Sequence, residues 1–289
     1  LKSSKIGRVV ALVRKSERFK SDNINFFPKG TEIYDVEELF SGQLSLGIVD
    51  VVCHLASGRT GHAKGEIASS LEFTNQLMMM IGKQHVPAVI NVSSQAVYGN
   101  SQQPLWKESD HILPETSYAQ SKWAGELLTQ NTKQLNNITS TISLRFSRII
   151  GPSAAMGFEV VPHVFANKAI DNIPVTIKGG SQKFDYLDVK DAVKAIVMLI
   201  EMPHQQWPSV LNIGSGKQIS LIEIVQLISQ ISERKLGGKL DFVVEKSDLK
   251  LELGMSIDKA KQSIGWEPAI EIEETIADVF DFLLKKRNR

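Results

Sequence analysis

The sequence predicts an α/β protein: a doubly wound parallel sheet followed by a second, smaller α/β domain. Three observations carry this. The strand candidates are continuous apolar runs rather than alternating ones, which is the pattern of strands buried on both faces. Helical patterns separate them, as crossover connections of a parallel sheet require. After Gly151 the segments change character, with shorter strands between strongly capped helices.

In chain order, RVVALVR (8–14) is a β-branched run flanked by basic residues and reads as a buried strand. EIYD (32–35) is a weaker strand, followed by a short helix at VEELF. VDVVCHLAS (49–57) is a strong buried strand. GEIASSLEFTNQLMMMIGKQ (65–84) has Leu71, Leu77 and Met78 on related turns and predicts a helix. VPAVINVSS (86–94) is another strand, and SYAQSKWAGELLTQN predicts a helix that Ser117 can cap. STISLRFSRIIGP (140–152) reads as one strand ending at Gly151-Pro152. In the second half, IPVTIKGG (173–180) and SVLNIGSG (209–216) read as strands with turns, and AVKAIVMLIE (192–201) as a helix with Asp191 as its N-cap. Ser220 and Glu223 form a capping box ahead of LIEIVQLISQIS, while IEETIADVFDFLLKKR (272–287) begins acidic and ends basic, matching a helix dipole. The first residues, LKSSK, read as the tail of a helix that precedes the first strand.

Composition narrows the function classes. Net charge is +1 over 289 residues, so there is no general electrostatic case for nucleic acid or an anionic membrane. No apolar run reaches the roughly 18 residues that span a bilayer. The first residues do not read as a secretory signal, and the single cysteine, Cys53, cannot form an internal disulfide; a cytoplasmic protein is expected. His54 and His62 are not spaced as a zinc motif, so no metal site is expected.

The chemistry-bearing stretch is SYAQSK. Tyr118 and Lys122 are four residues apart and share one helix face. Alone the pair is weak: with four tyrosines and 33 Lys or Arg in the chain, chance supplies about half a match. Context strengthens it. The strand AVINV ends in Ser93-Ser94, at the carboxyl end where open parallel sheets bind ligands. A phenol, with a pKa of about 10, is a poor base at neutral pH, and a nearby ammonium lowers that value. Tyr118 can then take a proton from a substrate hydroxyl while Ser94 hydrogen-bonds the same oxygen.

At this point the chain resembles the extended short-chain dehydrogenase/reductases, in particular the NAD-dependent epimerase/dehydratase family acting on nucleotide sugars. The resemblance rests on DVVCHLAS, VINVSSQAVYG, SYAQSK, LRFSRIIGP, FDYLDVKDAVKAI, LNIGSG and SIGWEP, which occur in the family's order. It implies a Rossmann-type fold, with residues 1–151 binding the dinucleotide, 184–214 crossing back to them, and 152–183 and 215–289 forming the substrate domain. Ser94, Tyr118 and Lys122 would be catalytic. Arg14, Lys15, Asp35, Val36, Leu55, Ala56, Ser57, Tyr118 and Lys122 would hold NAD or NADP, and Ser94, Gln95, Arg148 and Phe184 would contact the sugar substrate. A homodimer through helices that include the catalytic one is implied as well.

The sequence departs from the family in four places. The glycine-rich turn after the first strand is absent, so roughly 20 further N-terminal residues are expected upstream. Arg14-Lys15 stands where NAD-binding relatives usually carry an acid, which leans toward NADP. Phe184 replaces the usual diphosphate-binding arginine, and Arg148 an asparagine. GRTGHAKG (58–65) is either a cleft-lining segment or a surface loop, and GSGK (214–217) fails the P-loop pattern. Gly99, Ala154 and Ala155 suggest room for a substrate to turn. Two other readings stand beside the epimerase/dehydratase: a carbonyl reductase or dehydrogenase on the same scaffold, and a cofactor-binding regulatory protein without turnover.

Overall fold

Strand β1 (Val10–Val13) pairs in parallel with β2 (Glu32–Asp35), in the register Val10↔Glu32 to Val13↔Asp35. The structure is a computed structural model that describes residues 6–14, 27, 29–58, 64–84, 86–100, 105–135, 138, 140–153 and 160–287. The start of the chain, Lys15, His62, most of GRTGHAKG, Ala154 and Ala155 lie outside the described residues. The chain divides into two compact units, the first made of residues 1–93, 116–144 and 196–210, the second of 94–115, 145–195 and 211–289.

In the first unit, α1 (Val36–Phe40) follows β2 directly, and β3 (Val51–His54) pairs in parallel with β4 (Ala88–Ser94). β5 (Ser140–Phe146) and β10 (Val210–Ile213), whose last residues belong to the second unit, complete a four-stranded sheet in the order β10-β5-β4-β3. Helix α2 (Lys64–Lys83) buries Ile67, Thr74, Leu77, Met78 and Ile81, a stripe at helical spacing. Leu77, Met78 and Ile81 join Leu39, Leu46, Val86, Val89 and Ile138 in one core.

Helix α3 (Ser117–Leu135) is unusual, because its buried stripe is polar: Lys122, Glu126, Thr129 and Thr132 are all buried. The two threonines satisfy themselves on the helix's own carbonyls, Thr129 on Gly125 at 2.8 Å and Thr132 on Leu128 at 2.7 Å. Thr116, not Ser117, caps this helix: its Oγ1 accepts the Ala119 N–H at 3.1 Å. Thr116 stands one residue before the helix, where a side chain can still turn back to a first-turn amide.

In the second unit, the expected single strand over 140–152 is broken at Ser147. Beyond it β6 (Arg148–Ile150) pairs in parallel with β9 (Tyr186–Asp188), because the Arg148 N–H turns to the Asp185 carbonyl. β7 (Val175–Lys178) pairs with β12 (Phe242–Glu245), and β8 (Lys183–Phe184) lies between β11 (Ile219–Ser220) and β13 (Glu252–Leu253). Helices α4 (Val161–Ile170), α6 (Leu221–Leu236) and α8 (Ile272–Arg287) enclose a core that includes Ala166, Val175, Ile177, Ile224, Ile228 and Phe280. The capping box of α6 is formed as expected.

Helix α5 (Val189–Glu201) starts earlier than its periodicity suggests, and Asp188 rather than Asp191 caps it, accepting the Lys190 N–H at 2.7 Å. Asp191 sits in the first turn and works at longer range: its carboxylate accepts the amides of Ala269 and Ile270, both at 2.9 Å. Its carbonyl accepts the indole N–H of Trp266 at 3.1 Å. This explains the SIGWEP stretch, which follows the short helix α7 (Asp258–Ile264).

Candidate active site

β4 delivers two adjacent serines, and alternation along the strand sends them to opposite faces. Ser93 is buried, and its hydroxyl donates to Glu126 Oε1 at 2.5 Å. Ser94 is half-buried and caps the short 3₁₀ turn Gln95–Tyr98 by accepting the Ala96 N–H at 3.2 Å. The hydroxyl of Ser94 accepts from the backbone and keeps its own proton to donate. Of the two, Ser93 is committed to Glu126, and Ser94 is the more exposed.

Tyr118 and Lys122 occupy successive turns of α3, with Lys122 Nζ 5.8 Å from the centre of the Tyr118 ring. The ammonium is buried and donates to the Val92 carbonyl at 2.8 Å. Burial pulls its pKa down to about 8, while the Glu126 carboxylate acts in the opposite direction. A buried charge with few partners is costly, so it is kept where it does chemistry or is itself held by other charges.

His54 belongs to the structure around this site. Its Nε2 meets Thr74 Oγ1 at 3.0 Å, and burial, then the Lys122 charge, lower its pKa to about 4 from an ordinary 6.5. The folded protein therefore holds His54 neutral, while the unfolded chain binds a proton below 6.5. Stability from this group is complete above that value and is lost as pH falls toward about 4, a loss of about 3 kcal/mol. Denaturant titrations of wild type and His54→Gln between those limits check this. The wild type is expected to lose stability more steeply with acid than the variant, and equal slopes would show that His54 is not the group responsible.

The turn after Ser94 is anchored by a buried network. Tyr98 donates its hydroxyl to Asn212 Oδ1 at 2.7 Å and accepts from Arg145 Nη1 at 2.9 Å. The Arg145 guanidinium lies 4.9 Å from the Tyr98 ring centre, and the Trp106 ring stacks on Tyr98 at 5.4 Å. Asn212 is held in turn by the Trp106 carbonyl and by Glu108 Oε1. Burial pushes the Tyr98 phenol up to about 12, so it stays a donor. Gly99, expected to leave room, marks a close approach instead: at φ +82°, a Cβ there would stand 2.5 Å from the Leu113 carbonyl oxygen.

The remaining expected site residues fall at strand ends. Arg14 is exposed just beyond β1, Asp35 ends β2, and Val36 is buried. Leu55, 62% exposed, and Ala56 follow β3, and Ser57 donates to the Gly58 carbonyl at 3.0 Å. Gln95 is buried, and its Oε1 has no hydrogen-bond partner among the described residues. Arg148 lies over the Phe184 ring at 4.4 Å.

The GSGK loop is no phosphate cradle. Ser215 donates its N–H and hydroxyl to Asp185 Oδ1, both at 2.8 Å, and Gly214 is needed because a Cβ would stand 2.5 Å from Asp185 Oδ2. Among the described residues no group of three or more His, Cys, Asp or Glu could hold a metal ion, and no helix is long and apolar enough to cross a membrane. Sequence reasoning missed Glu126 and the Tyr98 network. Glu126, four residues beyond Lys122 on the same helix face, was open to discovery by spacing alone. Only tertiary contacts assemble the Tyr98 network.

The profile of the NAD dependent epimerase/dehydratase family matches residues 2–214. The chain belongs to this family. Its members are enzymes, and the fold of this chain, with parallel strand pairs and covering helices, is the family's Rossmann-type fold. An uncharacterised UDP-glucose epimerase of Bacillus subtilis is 27% identical over 268 residues, spanning 90% of this chain and 83% of its own. The dTDP-4-dehydro-6-deoxyglucose reductase of Escherichia coli is 31% identical over 188 residues, 64% of this chain and 57% of its own. The UDP-glucuronic acid 4-epimerase of Bacillus cereus, solved in complex with UDP-glucuronic acid and NAD, superposes with a TM-score of 0.81 at 22% identity, covering 96% of this chain and 91% of that one. Phe184 and Arg148, the two expected departures, lie one over the other, with the guanidinium carbon 4.4 Å from the ring centre.

Proposed function

We propose that this protein is an NAD-dependent epimerase acting on a nucleotide sugar, with Tyr118 as acid–base catalyst, Lys122 as its electrostatic support and Ser94 as the hydroxyl that holds the reacting oxygen. The observation that carries the reading is the buried ammonium of Lys122 one helical turn from Tyr118, on a chain of this family. The residues suit NAD: exposed Leu55 and Ala56 offer apolar surface at the carboxyl end of β3, and Asp35 stands at the end of β2. NAD is preferred over NADP because the family is NAD-dependent and the Bacillus cereus neighbour was solved with NAD. That preference outweighs the lean drawn from Arg14 and Lys15.

When bound, NAD accepts a hydride from the sugar carbon and later returns it. Tyr118 takes the proton of the hydroxyl on that carbon as the C–H electron pair leaves, and gives it back in the reverse step. Ser94 donates a hydrogen bond to the same oxygen in both directions. Lys122 favours the phenolate of Tyr118 and can reach the cofactor ribose. Arg148, over the Phe184 ring, is the proposed anchor for the diphosphate, since a guanidinium pairs with phosphate through two parallel hydrogen bonds. Gln95 offers its unpartnered carbonyl oxygen to a substrate hydroxyl.

We further propose a cytoplasmic homodimer through α2 and α3. These helices leave Met79 and Leu127 nearly half exposed, and Leu127 lines a groove with Ala68, Leu71, Ala124 and Leu128.

A reductase is the second reading, favoured by the 31% identity to the Escherichia coli reductase. Incubating the full chain with UDP-glucose or UDP-glucuronic acid and a trace of NAD, followed by NMR, separates the two. Inversion at C4 with no build-up of reduced-nicotinamide absorbance is the expected result. Turnover only of a keto-sugar, with stoichiometric oxidation of reduced cofactor, would replace the epimerase with the reductase.

A further inference from the structure

We propose that Tyr98 is a positioning residue for the reaction, fixing the turn from which Ser94 presents its hydroxyl. This rests on Ser94 being the hydroxyl that holds the reacting oxygen. Little holds Ser94 itself. It lies at the last position of β4 and is half-buried, and among the described residues its side chain is engaged by one hydrogen bond, from the Ala96 amide at 3.2 Å. That amide belongs to the 3₁₀ turn Gln95–Tyr98, so the hydroxyl of Ser94 is aimed only as well as the turn is fixed.

A four-residue 3₁₀ turn has poor hydrogen-bond geometry of its own and is easily displaced. Its far end, however, is clamped on every side. The Tyr98 hydroxyl is both donor, to Asn212 at 2.7 Å, and acceptor, from Arg145 at 2.9 Å. Its ring is stacked on Trp106 at 5.4 Å, and the guanidinium of Arg145 covers the ring at 4.9 Å. Tyr98 is 1% exposed and Asn212 is fully buried. The turn's last residues are also closed by the Leu113 amide on the Val97 carbonyl at 2.9 Å, which brings the 105–115 segment against them.

Each partner is fixed independently of Tyr98. Asn212 is gripped by the Trp106 carbonyl at 2.9 Å and by Glu108 Oε1 at 2.8 Å, and Arg145 lies on β5. Such a network inside a low-dielectric core is rigid, and one missing member takes a hydrogen bond from each of its neighbours. A phenylalanine would fill the same space and keep the stacking. It would lose both hydrogen bonds, taking one partner from the Asn212 amide oxygen and one from Arg145, and the turn would shift to compensate. The effect on catalysis would come through Ser94, four residues away along a single turn.

The test is a double-mutant cycle on the full chain, with UDP-glucose and UDP-glucuronic acid as substrates and NAD present. Tyr98→Phe is expected to lower kcat about 10–100-fold, with KM changed less than about threefold, as misplacement of a reacting group does. In the Ser94→Ala background, which lacks the group being positioned, Tyr98→Phe is expected to lower kcat less than about twofold further. A purely structural role would lower kcat by the same factor in both backgrounds. That result, or wild-type kcat in Tyr98→Phe, overturns the proposal while leaving the role of Ser94 standing. If Ser94→Ala itself turns over at the wild-type rate, the reading of Ser94 fails and the proposal with it. Should Tyr98→Phe not fold, judged by circular dichroism, the same cycle run with Trp106→Phe decides: it shrinks the ring under Tyr98 and keeps every hydrogen bond of the network. Loss of kcat that vanishes in the Ser94→Ala background supports the proposal, and equal loss in both backgrounds overturns it.

Discussion

Tyr118→Phe is expected to reduce turnover by about 10²–10⁴-fold, the usual cost of removing a general acid–base group. Phenylalanine keeps the shape of the side chain and removes only the oxygen that carries the proton. NAD affinity should therefore change little, because Lys122 is untouched. Its ammonium is fixed by the Val92 carbonyl at 2.8 Å and does not lean on the phenol oxygen for its position. The measurement is kcat for C4 inversion beside the NAD dissociation constant from fluorescence titration. A variant that turns over at the wild-type rate would remove Tyr118 from the chemistry. One that loses NAD binding in proportion to turnover would make it a cofactor contact instead.

Lys122→Met is expected to lower kcat by about 10–10³-fold at neutral pH, since a neighbouring positive charge lowers an acid's pKa by roughly 1–3 units and methionine removes that charge without removing bulk. The pH profile carries the sharper signature. The reacting state needs the phenolate and the ammonium together, a pair whose population passes through a maximum as pH rises. Burial holds Lys122 at about 8, below its ordinary 10.5. The ammonium is thus present below about 8 and lost above it, and wild-type kcat is expected to bend down there. Lys122→Met should lose that limb, and Lys122→Arg, charged throughout, should move it out of the measured range at a lower rate. A limb that stays near the same pH in Lys122→Met would assign it to another group and leave Lys122 without a part in activating Tyr118.

Folding energetics run in the opposite sense for the same lysine. Because its folded pKa lies below the unfolded value, the unfolded chain holds more protons between about 8 and 10.5, and stability rises with pH across that window. In the proposed reaction, catalysis and stability at Lys122 therefore pull apart.

Local signals by themselves determined much of this protein. The run VPAVINVSS made β4, the apolar spacing of residues 65–84 made α2, Ser220 with Glu223 made the capping box of α6, and the acidic start and basic end of 272–287 set α8. Each of these depends on residues within a few positions of one another, so the sequence displays them directly. The pair Tyr118 and Lys122 was legible for the same reason, since four residues on a helix are one turn.

Tertiary structure decided what depends on distant partners. Ser93 and Ser94 are chemically alike, and only the burial of Ser93 against Glu126, 33 residues away, separates the serine committed to the core from the one proposed to act. Asp191 carries the composition of an N-cap, yet it serves amides 78 and 79 residues along the chain, and the cap falls to Asp188. The strand over 140–152 had no visible break, because the break comes from pairing with β9 rather than from a turn residue. The Tyr98 network joins residues 47 and 114 positions apart. A sequence shows periodicity and caps because those act through the nearest turn. It does not show which buried donor meets which acceptor, because sheet pairing and packing bring those groups together only in the folded chain.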